Sequence, residues 1–256
     1  MLLENATKRK LREGQAVYGC FFRHAAPALA EFVAMLGWDF LVLDAEHGSL
    51  EPRDVEDLAR ACELHGVTPM VRVTTNTPSV ILRFLDAGAH GVQVPWVNTT
   101  ADVAAVVRSC KYPPLGERGL AGSRQGGWGN TRPLGDFTVH ANEEALVVVQ
   151  IETAAAAAAV DEYVQVDGVD VLFIGPTDLS ASLGHPGNPG HPEVQEVMNR
   201  VASAVVASDK TLGIFAGTRE GCADWYDRGA RYFTTGLEGI VKQGSQNYLP
   251  QNNRRD

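Results

Sequence analysis

Short apolar runs alternate along this chain with longer segments whose apolar residues recur at helical spacing. The apolar runs end abruptly in polar residues, glycine or proline, which is typical of buried parallel strands. Most of the segments between them end at glycine, where helices commonly stop. The runs predict strands at 17–22, 39–44, 68–73, 91–97, 147–149, 171–174, 211–216 and 232–235. The intervening segments predict helices at 8–13, 25–36, 52–65, 78–87, 101–109, 154–159, 192–208 and 220–228.

Eight strands that alternate with helices predict a (β/α)8 barrel, the TIM barrel of the α/β class, more naturally than an open doubly wound sheet. The length agrees, because the chain has 256 residues and such barrels typically need about 250. We therefore expect a single domain that spans residues 1–256.

Two segments depart from the regular alternation. Residues 111–142 are rich in Gly, Pro and Arg and are too long for a passive connection, so we expect a loop over the active site. Residues 237–256 are polar from Lys242 onward. This composition indicates an eighth helix that is truncated, disordered or exchanged with a neighbouring subunit.

Polar side chains collect where the predicted strands end. They are Asp44, Glu46 and His47 after strand two, Arg72 on strand three, Gln150 and Glu152 on strand five, and Asp178 just past strand six. In a barrel these positions share one rim, the rim that carries active sites. Each residue also has an ordinary structural interpretation: a helix-start acid, an N-cap, a structural histidine or half of an ion pair. Their convergence on one rim favours a site.

The carboxylates of Glu152 and Asp178 are the predicted metal ligands. A pair of oxygen ligands without His or Cys selects a hard cation such as Mg²⁺ or Mn²⁺. Such an ion polarises a carbonyl and stabilises an enolate, so the implied substrate is a 2-keto acid. The backbone amides of Thr177 and Asp178, at a helix start, are the predicted contacts for its carboxylate.

Two further groups complete the predicted chemistry. Arg72 would lie near the developing enolate oxygen, and His47, oriented by Asp44, would transfer the proton. Schiff-base chemistry is disfavoured, because the lysines, at positions 8, 10, 111, 210 and 242, avoid the ends of the predicted strands.

Composition excludes several other classes of function. The net charge is −9, and no basic stripe offers a surface to nucleic acid or to an anionic membrane. The four cysteines lie far apart in sequence, which fits reduced core thiols. No apolar run reaches the roughly 18 residues that a membrane span needs. We expect a soluble, cytoplasmic protein whose partner is a small molecule.

An ordered set of motifs resembles the HpcH/HpaI aldolase family, which includes 4-hydroxy-2-oxoheptanedioate and 2-keto-3-deoxy-sugar-acid aldolases and to which macrophomate synthase is related. The motifs are LDAEHG at 43–48, MVRV at 70–73, VPWV at 94–97, KYPPLGERG at 111–119, VVVQIET at 147–153, VDVLFIGPTDLSASLG at 169–184 and GNPGHPEV at 187–194. The resemblance weakens at 21–25, at 123–130 and after Gly236. These departures keep the aldehyde substrate open.

The resemblance implies a metal-dependent pyruvate aldolase that uses Mg²⁺, Mn²⁺ or Co²⁺ and forms a homo-oligomer, a hexamer or trimer, with an exchanged C-terminal helix. It assigns the metal to Glu152 and Asp178 and contact with the pyruvate moiety to Gln150. The Thr177 and Asp178 amides would then bind the carboxylate, Arg72 the enolate, and His47 with Asp44 would form the base dyad.

The resulting hypothesis is a class II aldolase that reversibly cleaves a 4-hydroxy-2-oxo acid to pyruvate and an aldehyde through a metal-bound pyruvate enolate. Two alternatives remain open at this point. The same site could decarboxylate oxaloacetate, as in an enzyme like macrophomate synthase. The barrel could also bind 2-keto acids without catalysing a reaction.

Overall fold

A computed structural model describes residues 4–250 of the chain. Its strands are β1 (Val17–Phe22), β2 (Phe40–Asp44), β3 (Thr68–Arg72), β4 (Gly91–Val94), β5 (Leu146–Ile151), β6 (Val171–Ile174), β7 (Thr211–Phe215) and β8 (Tyr232–Gly236). They pair in parallel in the order of the sequence, and β8 returns to β1 to close the barrel. The predicted TIM barrel is confirmed.

The helices follow the predicted alternation closely. They are α1 (Ala6–Arg12), α2 (Pro27–Ala34), α3 (Pro52–Leu64), α4 (Pro78–Ala87), α5 (Thr100–Cys110), α6 (Leu134–Glu144), α7 (Ala154–Ala158), α8 (Val160–Tyr163), α9 (Pro176–Ser182), α10 (Pro192–Val206), α11 (Arg219–Asp227) and α12 (Leu237–Tyr248). Several of them begin at a proline, whose fixed φ suits the first turn. No helix within residues 4–250 has the length and apolar character needed to cross a membrane.

Alternate residues of each strand point into the barrel and fill it. The interior cluster consists of Val17, Phe21, Phe40, Val42, Met70, Leu146, Val148, Val171, Phe173 and Tyr232. The other residues of the strands pack outward against the helices in a larger apolar cluster. Since side chains alternate with a period of two, Asp44 follows Phe40 and Val42 inward, and Arg72 follows Met70. The strand period therefore aims these polar residues at the barrel axis.

The register of the strands places these inward residues side by side. Asp44 pairs directly with Arg72 across β2 and β3. Gln93 on β4 pairs with Val148 on β5 and with Arg72 on β3. The polar layer therefore lies at the C-terminal ends of the strands, above the apolar layers.

The expectation that residues 111–142 cover the active site is wrong for the chain as folded here. The last third of this segment forms α6, and the remainder is held to the opposite end of the barrel, near the start of β4. Arg118 donates a hydrogen bond to Asp86 at 2.7 Å, at the end of α4, and Arg124 donates one to Glu63 at 2.7 Å, at the end of α3. Buried guanidinium groups need such anionic partners, and the carboxylates available lie at this end.

The eighth helix is not truncated, because α12 runs for 12 residues after β8. Leu237 is its one buried residue, and every side chain that follows it in the helix is exposed. Exchange of this helix between subunits stays a prediction, and residues 251–256 of the predicted tail lie outside the described residues.

Candidate active site

A cavity of about 240 Å³ opens at the C-terminal ends of the strands. Seven residues have a predicted role in binding or catalysis, and the walls of the cavity include six of them: His47, Arg72, Gln150, Glu152, Thr177 and Asp178. The seventh, Asp44, is fully buried beside Arg72 on the adjacent strand. The structure therefore brings the predicted residues together, although they come from four separate strands or from the turns that follow them.

Arg72 and Asp44 form a buried, bidentate ion pair. The Nε and Nη2 groups of Arg72 donate to Oδ1 and Oδ2 of Asp44 at 2.8 and 2.7 Å. Burial opposes ionisation of Asp44, but the hydrogen bonds and charge of Arg72, helped by Arg23, outweigh it and lower the pKa of the carboxyl group. Asp44 is thus an anion that fixes the Arg72 guanidinium with its remaining donors toward the cavity.

Glu152 is the carboxylate with the most perturbed environment in the cavity. Burial raises its pKa to about 7, and the negative charges of Glu46 and Asp178 add to that effect. The backbone N–H of Trp96 donates to Oε1 at 2.6 Å and opposes the shift. The φ of Trp96 is +53°, a strained value for a bulky residue. In this conformation the backbone amide of Trp96 donates to Glu152. None of these interactions of Glu152 involves a cationic side chain.

A chain of polar side chains leads from Glu152 down into the barrel. The side-chain amide of Gln150 donates a short hydrogen bond to Oε2 of Glu152, and Oε1 of Gln150 accepts one from Gln93 at 2.6 Å. Oε1 of Gln93 in turn accepts a hydrogen bond from the hydroxyl of Tyr232 at 3.5 Å. Because each of these groups is buried, the network fixes the orientation of Glu152.

His47 lies at the rim with an exposed side chain. Its backbone N–H donates to Oδ1 of Asp44 at 3.3 Å, whereas the nearest carboxylate to its Nε2 is Glu46, at 3.9 Å. The contact between His47 and Asp44 therefore runs through the backbone and not through the ring. The base dyad stays a prediction, and Glu46 is the acid that the ring meets in this structure.

The donors around Glu152 and Asp178 fit a hard divalent cation. Both residues supply carboxylate oxygens, and Asp178 lies in the first turn of α9. Oε2 of the neighbouring Glu46 is buried without a hydrogen-bond partner and lies 3.3 Å from Nε of Arg72. Burial, together with the negative charges of Glu46 and Asp178, raises the pKa of Glu152, and a cation would offset both effects. Mg²⁺ is usually held by one or two carboxylates together with water and substrate. The predicted ligand pair is therefore chemically suitable.

A family profile described as HpcH/HpaI aldolase/citrate lyase matches residues 17–242, which include every strand of the barrel. The chain belongs to this family. It is thus an aldolase, a carbon–carbon lyase, and the predicted resemblance is confirmed.

Similar proteins span nearly the whole chain. The 4-hydroxy-2-oxovalerate aldolase of Rhodococcus jostii is 36% identical over 247 residues, 94% of this chain and 93% of that protein. The 2-keto-3-deoxy-L-rhamnonate aldolase of Salmonella gallinarum is 34% identical over 245 residues, 94% and 90% of the two chains. A crystal structure of a family member from Burkholderia cenocepacia superposes with a TM-score of 0.90 at 34% identity, covering 95% and 97%.

A more distant solved structure with the same fold contains magnesium. A citrate lyase beta subunit from M. tuberculosis, solved with oxaloacetate and magnesium, has a TM-score of 0.60 and 17% identity and covers 94% and 100% of the two chains. At that identity the likeness shows the fold alone.

Several residues of the aldolase cavity have no individual role in the sequence-based prediction. Arg23 and Phe21 line the cavity from β1, and Phe215 lines it from β7. Trp96 and Gln93 act from β4 by orienting Glu152 and Gln150. One signal was available, since Arg23 is a charged residue directly after an apolar strand, as Arg72 and Glu152 are near theirs. Gln93 gave a similar signal as a polar residue inside the strand VQV.

A second group of metal-binding side chains lies outside the cavity of the aldolase. Among the described residues it is the one cluster of three, and it consists of His185, His191 and Glu193. The two imidazole rings stack with centroids 3.5 Å apart. In-plane lone pairs of stacked rings cannot meet at one ion, and Nδ1 of His191 already accepts the N–H of Glu193 at the start of α10. This arrangement fits helix capping better than metal binding.

Proposed function

We propose that this aldolase reversibly cleaves a 4-hydroxy-2-oxo acid to pyruvate and an aldehyde, with a divalent metal held by Glu152 and Asp178. The observation that carries the proposal is the placement of a carboxylate pair and an anion-fixed arginine, Arg72, around one small cavity. A bound metal would supply Lewis-acid polarisation of the 2-keto group.

The arginine is arranged to stabilise negative charge on the oxygen of the 2-keto group. Its Nε and Nη2 are committed to Asp44, while Nη1 has no hydrogen-bond partner among residues 4–250. A donor that is fixed in advance costs no reorganisation when charge develops on the enolate oxygen. Gln150 lies beside Glu152, where it would contact the pyruvate moiety. The amides of Thr177 and Asp178, in the first turn of α9, would contact the carboxylate.

The proton balance of the cleavage requires one base that later acts as an acid. In the cleavage direction His47 accepts the proton of the C4 hydroxyl, the C3–C4 bond breaks, and its electron pair forms the enolate while the aldehyde leaves. The same proton is then returned to C3, which gives pyruvate. His47 suits this exchange because its ring lies at the mouth of the cavity and meets solvent.

Exchange of the C3 protons of pyruvate in D₂O, followed by NMR, tests the enolate step without any aldehyde. We expect exchange with Mg²⁺ or Mn²⁺ that a chelator abolishes, and a loss of at least about 100-fold in Glu152→Gln and Asp178→Asn. The variant Glu117→Gln, in an exposed part of the chain, is the control. If Glu152→Gln and Asp178→Asn fold normally and keep metal-dependent exchange, the assignment of the metal to these two residues is refuted.

Two outcomes would contradict the proposed reaction. Release of CO₂ from oxaloacetate at a rate far above pyruvate exchange would indicate a decarboxylase that forms the same enolate. Absence of exchange with Mg²⁺, Mn²⁺ and Co²⁺ alike would contradict a pyruvate enolate as the intermediate.

A further inference from the structure

We propose that Arg23 forms a carboxylate-binding subsite on the acceptor side of the cavity, so that the aldehyde released by this enzyme carries a carboxylate of its own. The preferred substrate would then be a 4-hydroxy-2-oxo acid with a second acidic group at its far end. The inference rests on the proposed function, because it divides the cavity into a pyruvate side and an acceptor side.

Barrel topology separates Arg23 from Glu152, next to which pyruvate would bind. Arg23 directly follows β1, and Glu152 directly follows β5. In a closed barrel of eight strands in sequence order, β1 and β5 stand opposite one another. A pyruvate moiety at Glu152 and Asp178 therefore leaves the β1 side of the cavity for the acceptor.

Two aromatic residues complete the wall on the acceptor side. Phe21 and Phe215 line the cavity beside Arg23, with ring centroids 6.2 Å apart. Phe21 is further held by the guanidinium of Arg72, which lies 4.5 Å from its ring centroid. An acceptor in this space would meet two apolar rings along its carbon chain and one cationic group.

The base of the Arg23 side chain is held in place. Its Nε donates to Oδ2 of Asp44 at 2.8 Å. Gly48, in the turn after β2, lies so close that a β-carbon there would come within 3.3 Å of the Arg23 Cβ and 2.2 Å of the Asp44 carbonyl oxygen. The turn and the carboxylate together fix the stem of Arg23, which is the arrangement that a specific binding group requires.

The far end of Arg23 is available to a ligand. The side chain is 40% exposed, and among the described residues neither Nη group has a hydrogen-bond partner. Asp44 cannot neutralise it, because this single carboxylate is shared with Arg72 and already accepts four hydrogen bonds. Arg72 also lies 3.3 Å from a second carboxylate, Glu46, whereas Asp44 is the one carboxylate within ion-pair distance of Arg23 among the described residues. A planar fork of unpaired N–H donors is complementary to a carboxylate.

The alternative is that Arg23 only positions Asp44. In that case its removal would affect all acceptors equally, because the Asp44–Arg72 pair acts on the enolate. In a carboxylate subsite, by contrast, its removal must discriminate between charged and neutral acceptors of the same length.

The test compares two acceptors of four carbons, succinic semialdehyde and butanal, in condensation with pyruvate. We expect the wild type to prefer succinic semialdehyde in kcat/KM. In Arg23→Gln, KM for succinic semialdehyde should rise about ten-fold or more relative to KM for butanal, as expected for the loss of a charge-assisted hydrogen bond. Arg23→Lys should recover part of the difference. Arg60→Gln, on the outer surface of α3, is the matched control.

Three outcomes would overturn the subsite. Equal losses for the two acceptors in Arg23→Gln would reduce Arg23 to a positioning residue, and a wild-type preference for butanal would contradict the substrate class. If Arg23→Gln does not fold, Arg23→Met, which also removes the charge, provides the same comparison. Failure of the wild type to exchange the pyruvate C3 protons would overturn the proposed function together with the subsite, whereas intact exchange with equal losses overturns the subsite alone.

Discussion

The variant Glu152→Gln should make the metal-free aldolase more stable above neutral pH. The amide has nearly the shape of the carboxylate but does not ionise. Its oxygen can accept the N–H of Trp96, and its NH₂ group can donate to Gln150 if the side-chain amides of Gln150 and Gln93 both turn over. The hydroxyl of Tyr232 then accepts instead of donating. All hydrogen bonds of the network are therefore preserved.

The magnitude follows from the pKa of Glu152. Burial raises this pKa from 4.5 to about 7, which at 1.36 kcal/mol per pKa unit corresponds to about 3 kcal/mol. The folded protein binds this proton more tightly than the unfolded chain does. The contribution to stability is therefore complete below pH 4.5 and is lost as the pH rises to about 7.

The assay is urea unfolding in the presence of a chelator, from pH 4.5 to pH 8.5. The difference in free energy of unfolding, variant minus wild type, should grow by about 3 kcal/mol between the two ends. Added Mn²⁺ should stabilise the wild type above pH 7 and have little effect on the variant. A difference that does not change with pH would refute the argument that burial of the charged carboxylate is costly.

Three further predictions concern other positions. Arg72→Ala should lower the free energy of unfolding by roughly 3–5 kcal/mol, because it leaves a buried carboxylate without its main partner, and a near-native kcat would contradict the catalytic role of Arg72. Gly175→Ala should weaken Mn²⁺ binding several-fold in calorimetry, since its β-carbon would lie 3.1 Å from the Glu152 Cβ, while Gly239→Ala, which meets open space, should not. Burial opposes ionisation of Glu63, but its hydrogen bonds with His90 and Arg124 outweigh this and lower its pKa to about 2. Arg124→Met should therefore lower the free energy of unfolding by roughly 1.5–3 kcal/mol at pH 7. The loss should shrink as the pH falls below 4.5 toward 2, and a loss that is independent of pH would contradict the ion pair.

Much of the barrel could be predicted from the sequence because its elements are local patterns. Strands β1 and β6 and helix α4 have the predicted bounds, and the other elements with predicted bounds differ at their ends. Helix α6 was missed because glycine, proline and arginine dominate the segment before it. The position of the loop was predicted wrongly for another reason. Arg118 and Arg124 form ion pairs with carboxylates on α4 and α3, which are distant in sequence.

The site, like the fold, was predictable in part from local patterns and in part only from contacts in the folded chain. The residue types at the strand ends, together with the barrel rule, suffice to gather Arg72, Glu152 and Asp178 on one rim. The partner of each side chain depends on distances across the barrel, which no local pattern encodes. The sequence thus determined the barrel and the carboxylate pair through the spacing of its apolar residues and the positions of its glycines and prolines. Only the tertiary structure decided that Asp44 holds Arg72 and Arg23 rather than the ring of His47, because strand register and burial select the contacts.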